Sequence, residues 1–155
     1  MKLTTAVLAA GTAVSLATAV VGAARLRQHA RHQAERNEAT VARNQLDWLA
    51  QLSTNPDLAK LWTPEDMDVQ EYMQLLKANQ LICALSLRDR LGFIRDGQLP
   101  FFASMVMTSD VCRRYWARFG DFRAQEAEGD ERAEHFTRAM EAAARFQSEP
   151  QTTAV

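Results

Sequence analysis

The sequence predicts an all-α protein: an N-terminal transmembrane helix that continues into a stalk, then a small bundle of about four to five helices. Three observations predict it. No stretch alternates apolar and polar residues for long enough to make a strand. Apolar residues recur instead at helical spacing between clear breaks at Asn55-Pro56, Thr63-Pro64, Gly92, Asp96-Gly97 and Thr108-Ser109-Asp110. Finally, Thr4 to Ala24 carry no charge, and at helical rise these 21 residues match the roughly 30 Å hydrocarbon thickness of a bilayer. The chain has 155 residues, 47% hydrophobic and 24% charged, which excludes a disordered chain and leaves room for one small domain. Two cysteines exclude a disulfide scaffold.

The first element is a transmembrane anchor over residues 1–24. Its alanine-rich composition gives a modest drive for insertion, and Lys2 with Ala17-Thr18-Ala19 or Gly22-Ala23-Ala24 can also be read as a cleaved signal peptide. Five arginines following the run (Arg25, Arg27, Arg31, Arg36 and Arg43) favour the anchor, because they form a stop-transfer flank. The near-neutral total of 18 basic and 19 acidic residues conceals +4 on residues 1–44 and −5 on residues 45–155. This asymmetry predicts a cell-membrane protein with its N-terminus outside and its C-terminal domain cytoplasmic, with Arg25, Arg27, Arg31 and Arg36 against the anionic inner leaflet. Unpaired cysteines agree with a reducing compartment. Gly11, Ser15, Ala19 and Ala23 recur every four residues and form a small-residue stripe on which two copies could dimerise.

Residues 25–44 contain no glycine or proline and read as a basic helical stalk. The cytoplasmic bundle occupies 45–148, and 149–155 is expected to be a disordered tail. Val41, Trp48, Leu49 and Leu52 predict a packed end to the stalk helix, and Asn55 caps a short helix that starts at Pro56. Thr63-Pro64 repeats that device. A long helix follows from about Asp68 to Leu91, with Val69, Met73, Leu76, Cys83, Leu87 and Leu91 on one face and Tyr72, Leu75 and Ile82 widening it. An apolar helix ends near Met107; the next begins at Asp110, carries Val111, Cys112, Tyr115, Trp116 and Phe119, and gives way to a polar Gly120–Asp130 region. The last helix, about Asp130 to Gln147, presents Phe136, Met140, Ala143 and Phe146.

Candidate chemistry is sparse. His29, His32 and Glu35 share one helical face, but the neighbouring arginines repel a divalent cation. His135 follows Glu131 by one turn without the second copy that a di-iron bundle needs. Cys83 and Cys112 lack redox or zinc spacing and read as packing residues. There is no phosphate loop, nucleophile elbow or zinc-protease motif, so no catalytic residue, metal or cofactor is expected. Arg113, Arg114, Tyr115 and Trp116 form an interaction or packing cluster, and the acidic body argues against nucleic acid as its partner.

Asn55-Pro56-Asp57-Leu58-Ala59-Lys60-Leu61-Trp62, Arg90-Leu91-Gly92-Phe93-Ile94 and Arg113-Arg114-Tyr115-Trp116 follow a single apolar span and polar stalk. In this order the chain resembles small actinobacterial membrane-associated proteins of domain-of-unknown-function family 6082, over roughly residues 40–147. The resemblance implies an all-helical cytoplasmic domain and transfers no catalytic residue, ligand or partner. The expected function is a single-pass, membrane-anchored interaction or regulatory module, dimeric and acting on an unidentified protein. The alternatives are a small helical enzyme or ligand-binding domain with a pocket at the Tyr115–Trp116 face, and a secreted helical protein if the N-terminus is cleaved.

Overall fold

The computed structural model describes the backbone of residues 2–95 and 97–148 and, from Arg25 onward, the side chains of those residues apart from Arg31 and Glu35. The described residues form six helices joined by turns: α1 (Lys2–Thr54), α2 (Pro56–Lys60), α3 (Val69–Arg90), α4 (Leu99–Met107), α5 (Asp110–Ala127) and α6 (Glu131–Ser148). The chain divides into two compact units, Met1–Thr40 and Val41–Val155. Among the described residues no helix is long and apolar enough to cross a membrane. The side chains of the expected Thr4–Ala24 anchor, and all of residues 149–155 where a tail is expected, lie outside the described residues.

Helix boundaries follow local chemistry. The Asn55 carboxamide accepts from the backbone N–H groups of Asp57 and Leu58 at 3.1 and 3.2 Å, and Pro56 supplies a preset φ at the first position of α2. Asp68 caps α3 through Gln70 and Glu71, and Asp130 caps α6 through Arg132 and Ala133. Thr63-Pro64 does not start a helix: the Thr63 hydroxyl donates back to the Ala59 carbonyl at 2.8 Å, and Pro64 opens a single turn closed by Met67. Gly92, at φ 74°, ends α3 in a Schellman motif, with Phe93 N–H on the Arg88 carbonyl and Gly92 N–H on that of Asp89. Arg132 then donates to the Arg90 carbonyl at 2.7 Å and Arg90 pairs with Asp130, so the start of α6 is tied to the end of α3.

The main core lies among α3, α4, α5 and α6. Leu75, Ala78, Ile82 and Leu85 of α3 meet Leu99, Ala103 and Met107 of α4, Cys112, Tyr115 and Trp116 of α5, and Phe136, Met140 and Ala143 of α6. A second cluster holds Leu76 of α3 against Leu49 and Leu52 at the end of α1, with Tyr72 and Cys83 packed beside it. Helix α3 is thus covered on two sides. That is why its most buried positions differ from the single stripe expected: Leu75, Ala78, Ile82 and Leu85 are core, whereas Val69, Leu87 and Leu91 are only half-buried.

Three further expectations need correction. Val41 is 68% exposed, and among the described residues of α1 the first buried side chain is Leu49. Phe146 is exposed near the end of α6, one turn beyond the last core residue of that helix, Ala143. The Gly120–Asp130 region is mostly helical, since α5 continues to Ala127 and the buried Ala127 and half-buried Arg123 reward its extension. Glycine inside a helix costs about 0.5–1 kcal/mol relative to alanine. Here it gives room to a ring: a Cβ at Gly120 would lie 3.1 Å from the Trp116 indole nitrogen.

The caps and ion pairs imply a specific acid response. The Asp130 carboxyl is held below the usual carboxylate value of 3.8 by the Ala133 N–H and by Arg90, and that of Asp66 by the Arg118 guanidinium at 2.7 Å. A depressed folded-state value stabilises the fold above the unfolded value and loses that contribution as pH falls through the folded one. The melting temperature of the full chain should therefore drop on acidification below about pH 4. Asp130→Asn, which keeps a capping oxygen but does not titrate, should make the drop shallower, and an unaltered slope would remove Asp130 from the account.

Candidate functional site

Every residue of the Arg113–Trp116 cluster has a role inside the bundle. Arg113 donates to the carbonyl oxygens of Met107 and Thr108 at 2.8 and 2.9 Å, so its guanidinium closes the C-terminal end of α4. Arg114 spans from α5 to α3, with Asp110 at 3.0 Å, Gln74 at 3.1 Å and Glu71 at 3.5 Å. The Tyr115 ring is buried and its hydroxyl donates to the Asn79 carboxamide oxygen at 2.9 Å. Trp116 is 7% exposed and belongs to the main core.

Around Tyr115 the structure assembles a polar group that sequence reading missed. Arg123 donates through Nε to the Tyr115 hydroxyl at 3.2 Å and through one terminal nitrogen to Asn79 Oδ1 at 2.5 Å and Cys83 Sγ at 3.0 Å. Its other terminal nitrogen reaches Glu126 at 3.2 Å. Burial works against the Arg123 charge, but Cys83 and Tyr115 outweigh it and the guanidinium holds its proton more firmly than usual. Burial raises the Tyr115 phenol, and Arg123 opposes that shift. The signal was a polar residue in a core register: Tyr115, Phe119 and Arg123 are spaced i, i+4, i+8 on α5, and Asn79 and Cys83 are i, i+4 on α3. Cys83 therefore both packs and accepts a charged donor, whereas Cys112 is simply buried, with its thiol pushed up by that burial.

Two surface features of the described residues bear on function. The first is an open groove of about 320 Å³ between α5 and α6, with Trp116, Gly120 and Ala124 on one wall and Thr137, Glu141 and Ala144 on the other. The second is an exposed aromatic patch where α1 ends and α2 turns. Trp48 and Trp62 meet edge to face with centroids 6.1 Å apart, and Trp62 is 57% exposed beside Leu61 at 77%. Sequence reading assigned Trp48 to packing; it is 43% exposed, and its partner Trp62 is itself at the surface.

Arg25, Arg27 and Arg36 are exposed on α1, while the Arg31 side chain and the stripe Gly11, Ser15, Ala19 and Ala23 lie outside the described residues. His29, His32 and His135 are exposed, and Glu35 falls outside the described side chains. Among the described residues no three histidine, cysteine or carboxylate side chains come together in a group that could hold a metal ion.

A family model described as a family of unknown function (DUF6082) matches residues 2–154, and the chain belongs to that family. The match runs past the roughly 40–147 over which the motifs carried the resemblance. Comparison with curated proteins and with solved structures returns no match.

Proposed function

We propose that this DUF6082 protein is a membrane-anchored docking module, whose bundle presents the Trp48–Leu61–Trp62 patch to a protein partner. The observation that carries the reading is the patch itself. Two tryptophans and a leucine at the surface forgo burial worth about 1.5–3 kcal/mol for each large apolar side chain, and tryptophan is the residue most enriched at interface hot spots. The edge-to-face geometry holds both rings in place before a partner arrives, which lowers the ordering cost of docking.

The anchor part of the reading rests on the uncharged Thr4–Ala24 run and its arginine flank, a pattern that favours an N-terminus outside and a bundle in the cytoplasm. Arg25, Arg27, Arg31 and Arg36 then lie at the anionic leaflet, each contributing about 1 kcal/mol of attraction near the surface. The Gly11–Ser15–Ala19–Ala23 stripe supports pairing of two anchors. On this reading the bundle binds and positions and carries out no reaction of its own.

One experiment tests both parts. A photo-crosslinking residue placed at position 62 of the full chain in cells should yield a discrete protein adduct in the membrane fraction, and the same residue at exposed Gln70 should not. Recovery of the chain in the soluble fraction, or equal labelling from both positions, would overturn the proposal.

A further inference from the structure

We infer that the partner of the Trp48–Leu61–Trp62 patch is a second copy of this chain, paired in parallel along the last turns of α1; the inference rests on the docking reading above and names its partner. It begins with the side of α1 that the bundle leaves open. Leu49 and Leu52 turn this end of the helix onto Leu76 of α3, whereas Val41, Asn44 and Trp48 are all exposed. These three are separated by steps of three and four residues, and in the sequence the same alternation runs back through Asn37, Ala34 and Ala30, each of them exposed as well. Apolar or small residues in such a repeat are the pattern by which one helix packs against a copy of itself, knob into hole. An asparagine within the row fixes register and strand number at some cost in stability, because its amide is best satisfied by an amide at the same level of the other copy. Asn37 and Asn44 thus favour a parallel pair.

Area and charge agree with a small symmetric interface. Trp48 is 43% and Trp62 57% exposed, together the surface of one whole indole, about 250 Å². Leu61 at 77% and Val41 at 68% add about 90–170 Å², taking about 1.5–3 kcal/mol for each full burial at about 25 cal/mol per Å². A second copy supplies the matching apolar surface by symmetry, and the two patches with their polar rim come to roughly 1,000 Å², the size at which a specific interface begins. The exposed charges beside the patch in the chain carry both signs, Arg43 and Lys60 against Asp47, Asp57 and Glu65, so no block of one sign faces itself across a two-fold axis. On the anchored reading both N-termini also start from one membrane, which fixes the parallel sense and raises the effective concentration of the pair.

Disulfide trapping of the full chain tests the pair. With a thiol oxidant added to whichever cell fraction holds the chain, Asn44→Cys should give a band at twice the mass of the chain. Arg43→Cys, exposed on the other side of α1, should not, and it carries the same native Cys83 and Cys112 as a control. Val41→Asp, at an exposed position that leaves the helical circular dichroism intact, should weaken the Asn44→Cys band about tenfold, because it sets two carboxylates against each other in the row. Equal bands from positions 43 and 44, no band from 44, or a band indifferent to Val41→Asp would each overturn the pairing. The photo-crosslinker at position 62 separates this failure from that of the docking reading. An adduct containing only this chain supports both, an adduct with a different protein overturns the second copy and leaves the docking reading standing, and no adduct overturns both.

Discussion

Trp116→Ala is expected to destabilise the full chain by about 3–5 kcal/mol, the largest single-residue effect in the bundle. The indole is 7% exposed and stands where α3, α4, α5 and α6 converge, so truncation removes a large apolar surface and leaves a void. Gly120 faces the ring on its open side and has no side chain with which to fill that void. The chain supplies its own control. Trp62→Ala removes the same atoms from a position 57% exposed, and the fold should lose no more than about 0.5 kcal/mol beyond its edge-to-face contact with Trp48. Urea unfolding followed by circular dichroism separates the two, as a shift in midpoint with unchanged slope for Trp116→Ala and almost none for Trp62→Ala. Equal losses at the two sites would show that burial does not set the cost here.

The contrast between the two tryptophans also marks how far the sequence can be read. Where a helix starts depends on neighbours two or three residues away, so Asn55-Pro56, Asp68 and Thr108-Ser109-Asp110 all announced their helices, and α2, α3 and α5 begin there. Where a helix continues depends on what covers it. Gly120 reads as a stop by propensity, yet α5 passes through it because Arg123 and Ala127 beyond it are covered by the bundle, while the Trp116 ring fills the space a side chain at 120 would need. Cover also decides which face of α3 is deepest, since Leu75 and Leu76 are adjacent in sequence and enter different clusters. The exposed pair Trp48 and Trp62 was hidden for the same reason, because hydrophobicity alone does not tell a core tryptophan from a surface one. The groove needed two walls, α5 and α6, before it existed at all.

Arg123 is the clearest residue of this kind, and its replacement should have the second-largest effect. Its main partners, Asn79 and Cys83, lie on another helix, and Tyr115 lies two turns back on its own. One planar guanidinium satisfies all three and Glu126 besides, a fork that no other side chain reproduces. Arg123→Ala removes those bonds together with the packed aliphatic stem, and leaves the buried Tyr115 hydroxyl and the Cys83 sulfur without their donor; the expected cost is about 2–4 kcal/mol. Arg123→Lys keeps the charge and most of the stem but offers a single point of contact, so it should recover less than half of the loss. Arg123→Met, which keeps an apolar stem alone, should fall near alanine if the hydrogen bonds dominate and near wild type if packing does. A double-mutant cycle with Asn79→Ala resolves the same question at one contact: a coupling of about 1 kcal/mol or more assigns the stability to the Arg123–Asn79 bond, and additive losses would assign it to the stem.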